Sequence, residues 1–228
     1  MIENLSIRNA ASQDIDFIIE TIIEADKGGT SVISACNILN ISEEEYKNIL
    51  KNILQENIEG QEYSLSGFLI AEINGVQVGA LGSWIEGAVG VSSYILYSNI
   101  LLNYLKREKI QEVLSNFKIT KEVSFKREEG AIQFEYGYVK EEFRRKGIYT
   151  RLMIESIKNH YKDNKSIPKT QGICFQKNFK SVKAAEKLGF KVTEIKFSDR
   201  DELKKIFPYT EKVLLEMDKK RMDDVSNF

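Results

Sequence analysis

The sequence predicts a mixed α/β or α+β domain in which helices pack on a mixed sheet. Three patterns predict this fold class. Isoleucines recur at helical spacing near the N-terminus, two apolar segments flank Asn74-Gly75, and strand and helix patterns alternate in the second half. The 228 residues contain two prolines and no stretch rich in Pro, Gly or Ser. We therefore expect a single domain over residues 1–228.

The composition narrows the classes of function. A formal net charge of −1 is unlike the basic excess of a nucleic-acid binder. The longest uncharged run, residues 87–105, contains serines, asparagines and glycines, so it is a poor membrane span. The stretch MIENLSIRNA lacks the basic and apolar blocks of a signal peptide. Cys36 and Cys174 lack the spacing of a zinc site, so no metal is expected. Two free thiols suit a reducing compartment and a cytoplasmic protein, although two cysteines also allow one disulfide.

The first half of the chain begins with a strand and two helices. Residues 5–7 are predicted to form the strand. Ser12 is the predicted N-cap of the first helix, and either glycine of Gly28-Gly29 closes it. The apolar face of this helix carries Ile15, Ile18, Ile19, Ile22 and Ile23. Ser42 and Glu45 form a capping box that predicts the start of the second helix.

A hairpin and a helical insertion follow. In FLIAEINGVQVGALG the dipeptide Asn74-Gly75 tolerates the positive φ angles of a tight turn, so the flanking apolar segments are predicted strands. Residues 87–117 combine aromatic and aliphatic residues with the stretch LKREKIQEVLSNF. This pattern predicts one or two helices, inserted at about residues 87–117.

Strands and helices alternate in the second half. KEVSFKREEGAIQFEYGYV predicts two strands that meet near residues 128–130, the second of which ends at Val139. A helix is predicted in IYTRLMIESIK, a strand in TQGICF, a helix ending at Gly189 in NFKSVKAAEKLGF, and a last strand in EKVLLEMDK. The polar tail KRMDDVSNF is expected to fray.

The turn before the predicted helix is rich in cations. Free backbone N–H groups at a strand-to-helix turn, together with the helix dipole, form a site suited to phosphate. Gly147 permits a close backbone approach there, and Arg144, Arg145, Lys146 and Arg151 add positive charge. A solvated charge run is the simpler alternative. Cations at a helix N-terminus oppose the dipole, however, and a bound anion would remove that conflict.

Two motifs resemble those of the GNAT superfamily of N-acetyltransferases. VKEEFRRKGIYTRLM resembles the family's coenzyme-binding motif, Gln/Arg-x-x-Gly-x-Gly/Ala. Arg144 takes its first position and Gly147 its central one, whereas Tyr149 replaces the final Gly or Ala. NFKSVKAAEKLGF resembles the downstream helix Asn-x-x-Ala-x-x-x-Tyr-x-Lys-x-Gly-Phe. Asn178 matches its asparagine, and Ala185 replaces its tyrosine.

The resemblance covers most of the chain apart from about residues 87–117. It implies a mixed, mostly antiparallel sheet with a central, splayed pair of parallel strands and flanking helices. It also implies that acetyl-coenzyme A (acetyl-CoA), as cosubstrate, lies in the gap between residues 133–139 and 171–175. Backbone groups of Tyr138 and Val139 would then pair with the pantetheine arm.

The coenzyme-binding residues implied by the resemblance surround the turn at Gly147, where N–H groups would hold the pyrophosphate. The full set is Tyr138, Val139, Arg144, Arg145, Lys146, Gly147, Ile148, Tyr149, Thr150 and Asn178. Asn178 would touch the pantetheine or fix the end of the second strand. A plain helix N-cap is its alternative role.

The implied chemistry is direct attack of an amine on the thioester. An N–H near Val139 would stabilise the developing oxyanion. Glu135 is the predicted general base, since it shares a strand face with Val139. The alternative role of Glu135 is that of a structural carboxylate paired with a lysine or arginine. Because Ala185 stands where the family's acid tyrosine usually lies, Tyr138 and Tyr136 are the candidate proton donors, with Tyr138 preferred.

Aromatic and acidic residues outside the two motifs are candidates for the acceptor pocket. Aromatic walls and a carboxylate suit a cationic amine, although core packing is the plainer explanation for each residue. The candidates are Trp84, Glu86, Tyr94 and Tyr97. His160, the sole histidine, is expected to be exposed and to have no catalytic role.

We therefore predict an N-acetyltransferase that moves an acetyl group from acetyl-CoA to a primary amine of a small molecule or peptide. The alternative is a non-catalytic acyl-CoA-binding module of the same fold. A nucleotide or nucleic-acid binder is a third interpretation, but the sequence lacks the Gly-x-x-x-x-Gly-Lys-Ser/Thr phosphate loop. No membrane partner is expected. Homodimers are common among such enzymes, and the sequence itself indicates no interface.

Overall fold

A computed structural model describes residues 4–226, in which seven strands form one sheet in the order β1-β2-β3-β4-β5-β7-β6. The strands are β1 (Leu5–Asn9), β2 (Phe68–Ile73), β3 (Val76–Ile85), β4 (Ile132–Val139), β5 (Lys169–Phe175), β6 (Lys191–Phe197) and β7 (Glu211–Asp218). The helices are α1 (Ile15–Asp26), α2 (Ser34–Leu39), α3 (Glu43–Glu56), α4 (Ser93–Tyr104), α5 (Ile110–Thr120), α6 (Ile148–Asp163), α7 (Phe179–Leu188), α8 (Asp201–Ile206) and α9 (Lys219–Ser226). All strand pairs are antiparallel except β4 with β5. The predicted fold class, a mixed and mostly antiparallel sheet flanked by helices, is confirmed.

The helices of the first half form where the sequence predicts them, with one different cap. Ser12 does not cap α1; it opens a short 3₁₀ turn that leads into the helix. The carboxylate of Asp14 instead accepts a hydrogen bond from the N–H of Ala11 at 2.7 Å. Ser42 caps α3 as predicted, because its hydroxyl accepts from the N–H of Glu45 at 3.1 Å. The helix α2 was not predicted.

The hairpin is confirmed, and helices form within residues 87–117. Asn74 and Gly75 have φ angles of 51° and 78°, the left-handed geometry of a two-residue turn between β2 and β3. Residues 87–117 contain α4 and the greater part of α5. Both helices contribute buried residues to the core, among them Leu101 and Val113.

Three expectations for the second half are wrong or incomplete. Residues 124–128 form no strand. Both edges of β4 are already occupied, by β3 and by β5, so this segment cannot pair with β4 as a hairpin. The edge strand β6 was not predicted. The tail does not fray as expected, since α9 packs Met222 and Val225 at 0% exposure against the core. Its last two residues, like the first three of the chain, lie outside the described residues.

Helices cover both faces of the sheet. On the first face, residues of α1 to α5 pack with Ile70 and Ala80 in one core cluster. On the second face, residues of α6, α7 and α9 pack with Leu81, Phe134 and Val213 in another. No helix within residues 4–226 has both the length and the apolar character that a bilayer crossing would need.

The parallel strands β4 and β5 separate partway along their length. They pair at Ile132 with Thr170, at Gln133 with Gln171 and at Phe134 with Gly172, and no further. Beyond these pairs β4 continues to Val139 and β5 to Phe175. We call the opening between the two unpaired ends the wedge. The predicted splayed pair is therefore present.

A bulge shapes the β4 side of the wedge. The register of β4 with β3 shifts between Glu135 and Tyr138, and Tyr136 has a φ of 54°. A tyrosine in this left-handed region is uncommon and is held there only by its surroundings. Because of the bulge, Glu135 and Tyr136 both lie on the first face, although strict alternation would have turned one of them away. Val139 packs on the second face, so the expectation that it shares a strand face with Glu135 is wrong.

Candidate functional site

The turn between β4 and α6 exposes a row of unpaired backbone donors. Gly147, with a φ of 78°, directly precedes α6, and Arg145 is also left-handed, with a φ of 63°. None of the N–H groups of residues 145–150 donates a hydrogen bond to any part of the chain that the structure describes. This row includes Ile148 and Thr150 and exceeds the four free donors of an ordinary helix start. The turn can therefore accept a phosphate-like anion.

The cations of the turn divide into two groups. Arg145, Lys146 and Arg151 form no ion pair with any described carboxylate, so their charges remain available at the helix start. Arg144 turns back instead, and its Nε donates to the carbonyl oxygen of Val139 at 2.9 Å. Its guanidinium carbon also lies 5.8 Å from the centre of the Tyr138 ring. Arg144 thus links the turn to the end of β4.

The end of β4 directs backbone groups into the wedge. The N–H of Lys140 donates to the carbonyl of Val78 at 2.9 Å, on the β3 side. Because successive residues of a strand point their hydrogen-bonding groups to opposite edges, Val139 directs its N–H and carbonyl toward the wedge. The side chain of Tyr138 lies on the first face. Burial and the nearby Glu20 and Glu24 raise the pKa of the Tyr138 phenol.

The ring of Tyr149 occupies part of the wedge. It packs so closely on Gly137 of β4 that a Cβ at that position would collide with it, and the Tyr149 hydroxyl lies 2.8 Å from where the Cβ would be. Burial, with Cys174 and Glu135 nearby, raises the pKa of the Tyr149 phenol. The residue that departs from the coenzyme-binding motif is therefore the one that narrows the opening.

Glu135 lies in a group of buried and half-buried charges on the first face. Arg127 donates to Glu62 at 2.8 Å and to Glu135 at 3.3 Å, and its guanidinium carbon lies 4.8 Å from the centre of the Trp84 ring. Burial raises the pKa of Glu135 to about 7, although Arg127 opposes the shift. The arginine pairing expected of a structural carboxylate is present, and so is the raised pKa that a base needs near neutral pH. Sequence reasoning did not identify Arg127 or Glu62.

A chain of buried tyrosines adjoins these charges. The hydroxyl of Tyr63 lies 2.8 Å from that of Tyr46 and 3.1 Å from that of Tyr136. The rings of Tyr63 and Tyr136 stack with centroids 5.5 Å apart. Burial raises the pKa of all three phenols. Tyr136, one of the two candidate donors, is therefore fixed within a hydrogen-bonded chain.

The residues suggested for the acceptor pocket do not form one wall. Trp84 and Glu86 are buried together, and the indole N–H donates to the Glu86 carboxylate at 3.2 Å. Tyr97 packs on Tyr63 with ring centroids 5.4 Å apart, whereas Tyr94 is 44% exposed. Packing explains Trp84 and Tyr97, as the plainer alternative proposed. Glu86 also lines a groove of about 790 Å³ on the first face, with Arg127, Gln171, Leu214 and Glu216 among its other walls.

The remaining predicted residues have structural contacts. Asn178 caps α7, where its side-chain oxygen accepts from the N–H of Ser181 at 3.4 Å. Ala185 is buried in the core of the second face. His160 is not exposed as expected: its Nε2 lies 3.0 Å from the hydroxyl of Ser83, and burial lowers its pKa to about 4. Cys36 and Cys174 are both free thiols.

Known structures share this fold. An N-acetyltransferase from Staphylococcus aureus Mu50 matches with a TM-score of 0.62 at 13% identity, over 93% of this chain and 100% of that one. A GNAT-family acetyltransferase from Bacillus anthracis matches at 0.54 and 12% identity, over 96% and 98%. The PaiA N-acetyltransferase from Thermoplasma acidophilum, solved in complex with coenzyme A, matches at 0.51 and 18% identity, over 94% and 98%. No family model matches the sequence, and no curated protein matches it either. The chain therefore has the fold of GNAT acetyltransferases, as its two motifs predicted.

Proposed function

We propose that this chain is an acetyl-CoA-dependent N-acetyltransferase of the GNAT superfamily. The observation that carries the proposal is the coincidence of two features at one end of β4. The wedge opens between β4 and β5, and the unpaired N–H groups of residues 145–150 stand beside it. A long cosubstrate with an anionic middle and a thioester end fits both features at once. The free cysteines are in keeping with the cytoplasmic location that we also propose.

The coenzyme would lie across the turn and through the wedge. The pyrophosphate would accept hydrogen bonds from the row of N–H groups that includes Gly147, with Arg145 and Lys146 adding charge. The pantetheine arm would follow the free edge of β4 at Tyr138 and Val139. Binding requires the Tyr149 ring to swing off Gly137, because ring and pantetheine cannot share the wedge.

The proposed reaction is a direct transfer within a ternary complex. Glu135 takes a proton from the acceptor's ammonium group, and the neutral amine then attacks the thioester carbon. A C–N bond forms while the C–S bond breaks, and the N–H of Val139 stabilises the intervening oxyanion. The departing thiolate takes a proton from Tyr138, and the nitrogen gives its second proton to Tyr138 as the amide forms. The pKa of Glu135, raised to about 7, suits this role because a base is most effective near the working pH.

Calorimetric titration with acetyl-CoA tests the coenzyme site directly. Gly147→Ala should weaken binding about tenfold or more, since the substitution strains the turn that aims the donors. Gly75→Ala is a matched control. Both glycines have a φ of 78° and an open surrounding, so both substitutions impose similar strain, but Gly75 lies in the hairpin turn. Absence of saturable acetyl-CoA binding by the wild-type protein would contradict the proposal.

A non-catalytic acyl-CoA-binding module is the second candidate. Two observations favour it: Tyr149 narrows the wedge, and Ala185 provides no acid at the position where the family usually has a tyrosine. The two functions separate in an assay of thiol release from acetyl-CoA over a panel of primary amines. Saturable binding with no acceptor-dependent release would establish the module. Release that Glu135→Gln abolishes, with binding retained, would establish the enzyme.

A further inference from the structure

Lys212 places an unpaired ammonium group beside the wedge. It lies at the start of β7, opposite Phe175 at the end of β5. Its Nζ lies 3.7 Å from the centre of the Phe207 ring and 5.1 Å from that of Phe175. Among the residues that the structure describes, it forms neither a hydrogen bond nor an ion pair. The lysine is thus held between aromatic rings with its donors unused.

The carboxylates whose charges reach Lys212 are bound elsewhere. Glu135 pairs with Arg127 at 3.3 Å. Asp26, at the end of α1, accepts a hydrogen bond from the N–H of Ala35 at 2.9 Å, which holds it at the start of α2. Burial lowers the pKa of Lys212 to about 8 even though both acids act to raise it. A cation–π contact attracts the charge but satisfies none of the three N–H donors.

The surroundings of Lys212 fix it in place. Gly28 packs so closely on the Phe175 ring that a Cβ there would lie 2.9 Å from it. The side chain of Asn37 on α2 donates to the carbonyl of Ile206 at 3.1 Å, which ties α8 and the following Phe207 to the first face. A half-buried cation that has aromatic contacts but no hydrogen-bond or ion-pair partner can receive an anion, because the anion removes the cost of the unpaired charge.

Lys212 and Glu135 flank the wedge from opposite sides. Glu135 projects from β4 and Lys212 from β7, and the end of β5 runs between them on the sheet. Both side chains lie on the first face, as Gln133 and Leu214 at the next alternate positions do. A small acceptor that presents its amine to Glu135 would therefore carry its next polar group toward Lys212.

We propose that Lys212 binds a carboxylate of the acceptor, so that the acceptor is an amino acid or a short peptide whose carboxylate lies close to its reacting amine. This inference rests on the proposed transferase function. A carboxylate matches the free ammonium in charge and accepts hydrogen bonds that the aromatic rings cannot. Lys212 is in this sense a residue that determines acceptor specificity, and Glu135 remains the base.

Matched acceptor pairs test the proposal. Each L-amino acid is compared with its own carboxamide in the thiol-release assay, because the carboxamide keeps the side chain and lacks the negative charge. Rates are compared at equal concentrations of the neutral amine, since the amine of a carboxamide is less basic than that of the acid. The wild-type protein should prefer the acid by about 10- to 100-fold in kcat/KM, the range of a charge-assisted hydrogen bond. Lys212→Met should abolish the preference while leaving acetyl-CoA affinity unchanged. Lys183→Met, on the exposed side of α7, should preserve it.

Two outcomes of the acceptor comparison would contradict a carboxylate site at Lys212. Equal rates for acid and carboxamide in the wild type, or a preference that survives in Lys212→Met, would overturn the assignment. Lys212→Gln serves as a second variant, and the Tm of each variant reports its folding.

A binding experiment separates this proposal from the transferase function. Protein saturated with coenzyme A is titrated calorimetrically with the same amino acids and carboxamides. Binding of the acids to the wild type but not to Lys212→Met supports the carboxylate site even if no acceptor is turned over. Absence of such binding in both proteins overturns it, whereas absence of coenzyme binding overturns the transferase function instead.

Discussion

Replacing Glu135 by Gln tests the proposed base through the pH dependence of the reaction. Burial raises the pKa of Glu135 from 4.5 to about 7. A base acts in its deprotonated form, so kcat/KM of the wild type should rise with pH to about 7 and fall about tenfold per unit below it. Glu135→Gln should lower kcat/KM by about 10²- to 10⁴-fold. The variant should also lack the fall in kcat/KM below pH 7, which is the acidic limb of the pH profile. The exposed Glu44, changed to Gln, is the control.

The same shift predicts how stability depends on pH. A carboxyl whose pKa is raised by folding stabilises the protein most below its unfolded pKa, and the contribution is lost as pH rises through the folded pKa. For Glu135 the rise in pKa from 4.5 to about 7 corresponds to a loss of about 2–3 kcal/mol of stability between pH 5 and pH 8. Urea unfolding of the wild type and of Glu135→Gln at pH 5 and at pH 8 measures this change in the free energy of unfolding. The wild type should lose this much relative to the variant as the pH rises.

Two outcomes would refute the reasoning about Glu135. A kinetic limb at the ordinary pKa of a glutamate, near 4.5, would mean that burial does not shift it as the structure implies. An equal pH dependence of the free energy of unfolding in the wild type and in Glu135→Gln would also mean that burial does not raise the pKa of Glu135. A normal rate in Glu135→Gln, with the limb still near 7, would assign the limb to another group.

Three further predictions concern the turn, the wedge and the tail. Tyr149→Ala should tighten acetyl-CoA binding up to about tenfold because no ring has to be displaced, whereas Tyr149→Phe should match the wild type; weaker binding by the alanine variant would contradict the blocking role. Changing Arg145 and Lys146 to Gln should weaken coenzyme A binding severalfold and flatten its salt dependence, unlike Lys183→Gln; an unchanged salt slope would exclude these charges. Met222→Ala should lower the free energy of unfolding by about 2–5 kcal/mol, measured in urea, and no loss would mean that α9 is dispensable.

Local chemistry was sufficient to predict much of the fold. Asn74-Gly75 fixes a tight hairpin because both residues accept positive φ angles. Ser42 caps α3 through a bond to an N–H three residues away. The cation-rich turn before α6 was also evident, since its donors and charges are consecutive in the chain. Each of these features depends on neighbours a few residues apart, which a sequence displays directly.

Features that depend on distant segments were not predicted. The segment before β4 resembles a strand, but β3 and β5 already occupy both edges of β4, so it cannot form a hairpin with β4. The tail looks polar, yet its two apolar side chains, Met222 and Val225, reach the core. Composition cannot reveal either outcome, because both depend on which surfaces other elements leave uncovered.

The sequence by itself determined the hairpin at Asn74-Gly75, the cation-rich turn at Gly147 and the likeness to an acetyltransferase fold. Only the tertiary structure decided that Arg127 meets Glu135, that the Tyr149 ring lies on Gly137, and that Lys212 has aromatic contacts but no hydrogen-bond or ion-pair partner among the described residues. The physical reason is that charge pairing and desolvation depend on distances through space. Such distances are set when β4, β5 and β7 come together in the sheet, and the separation of residues along the chain does not reveal them.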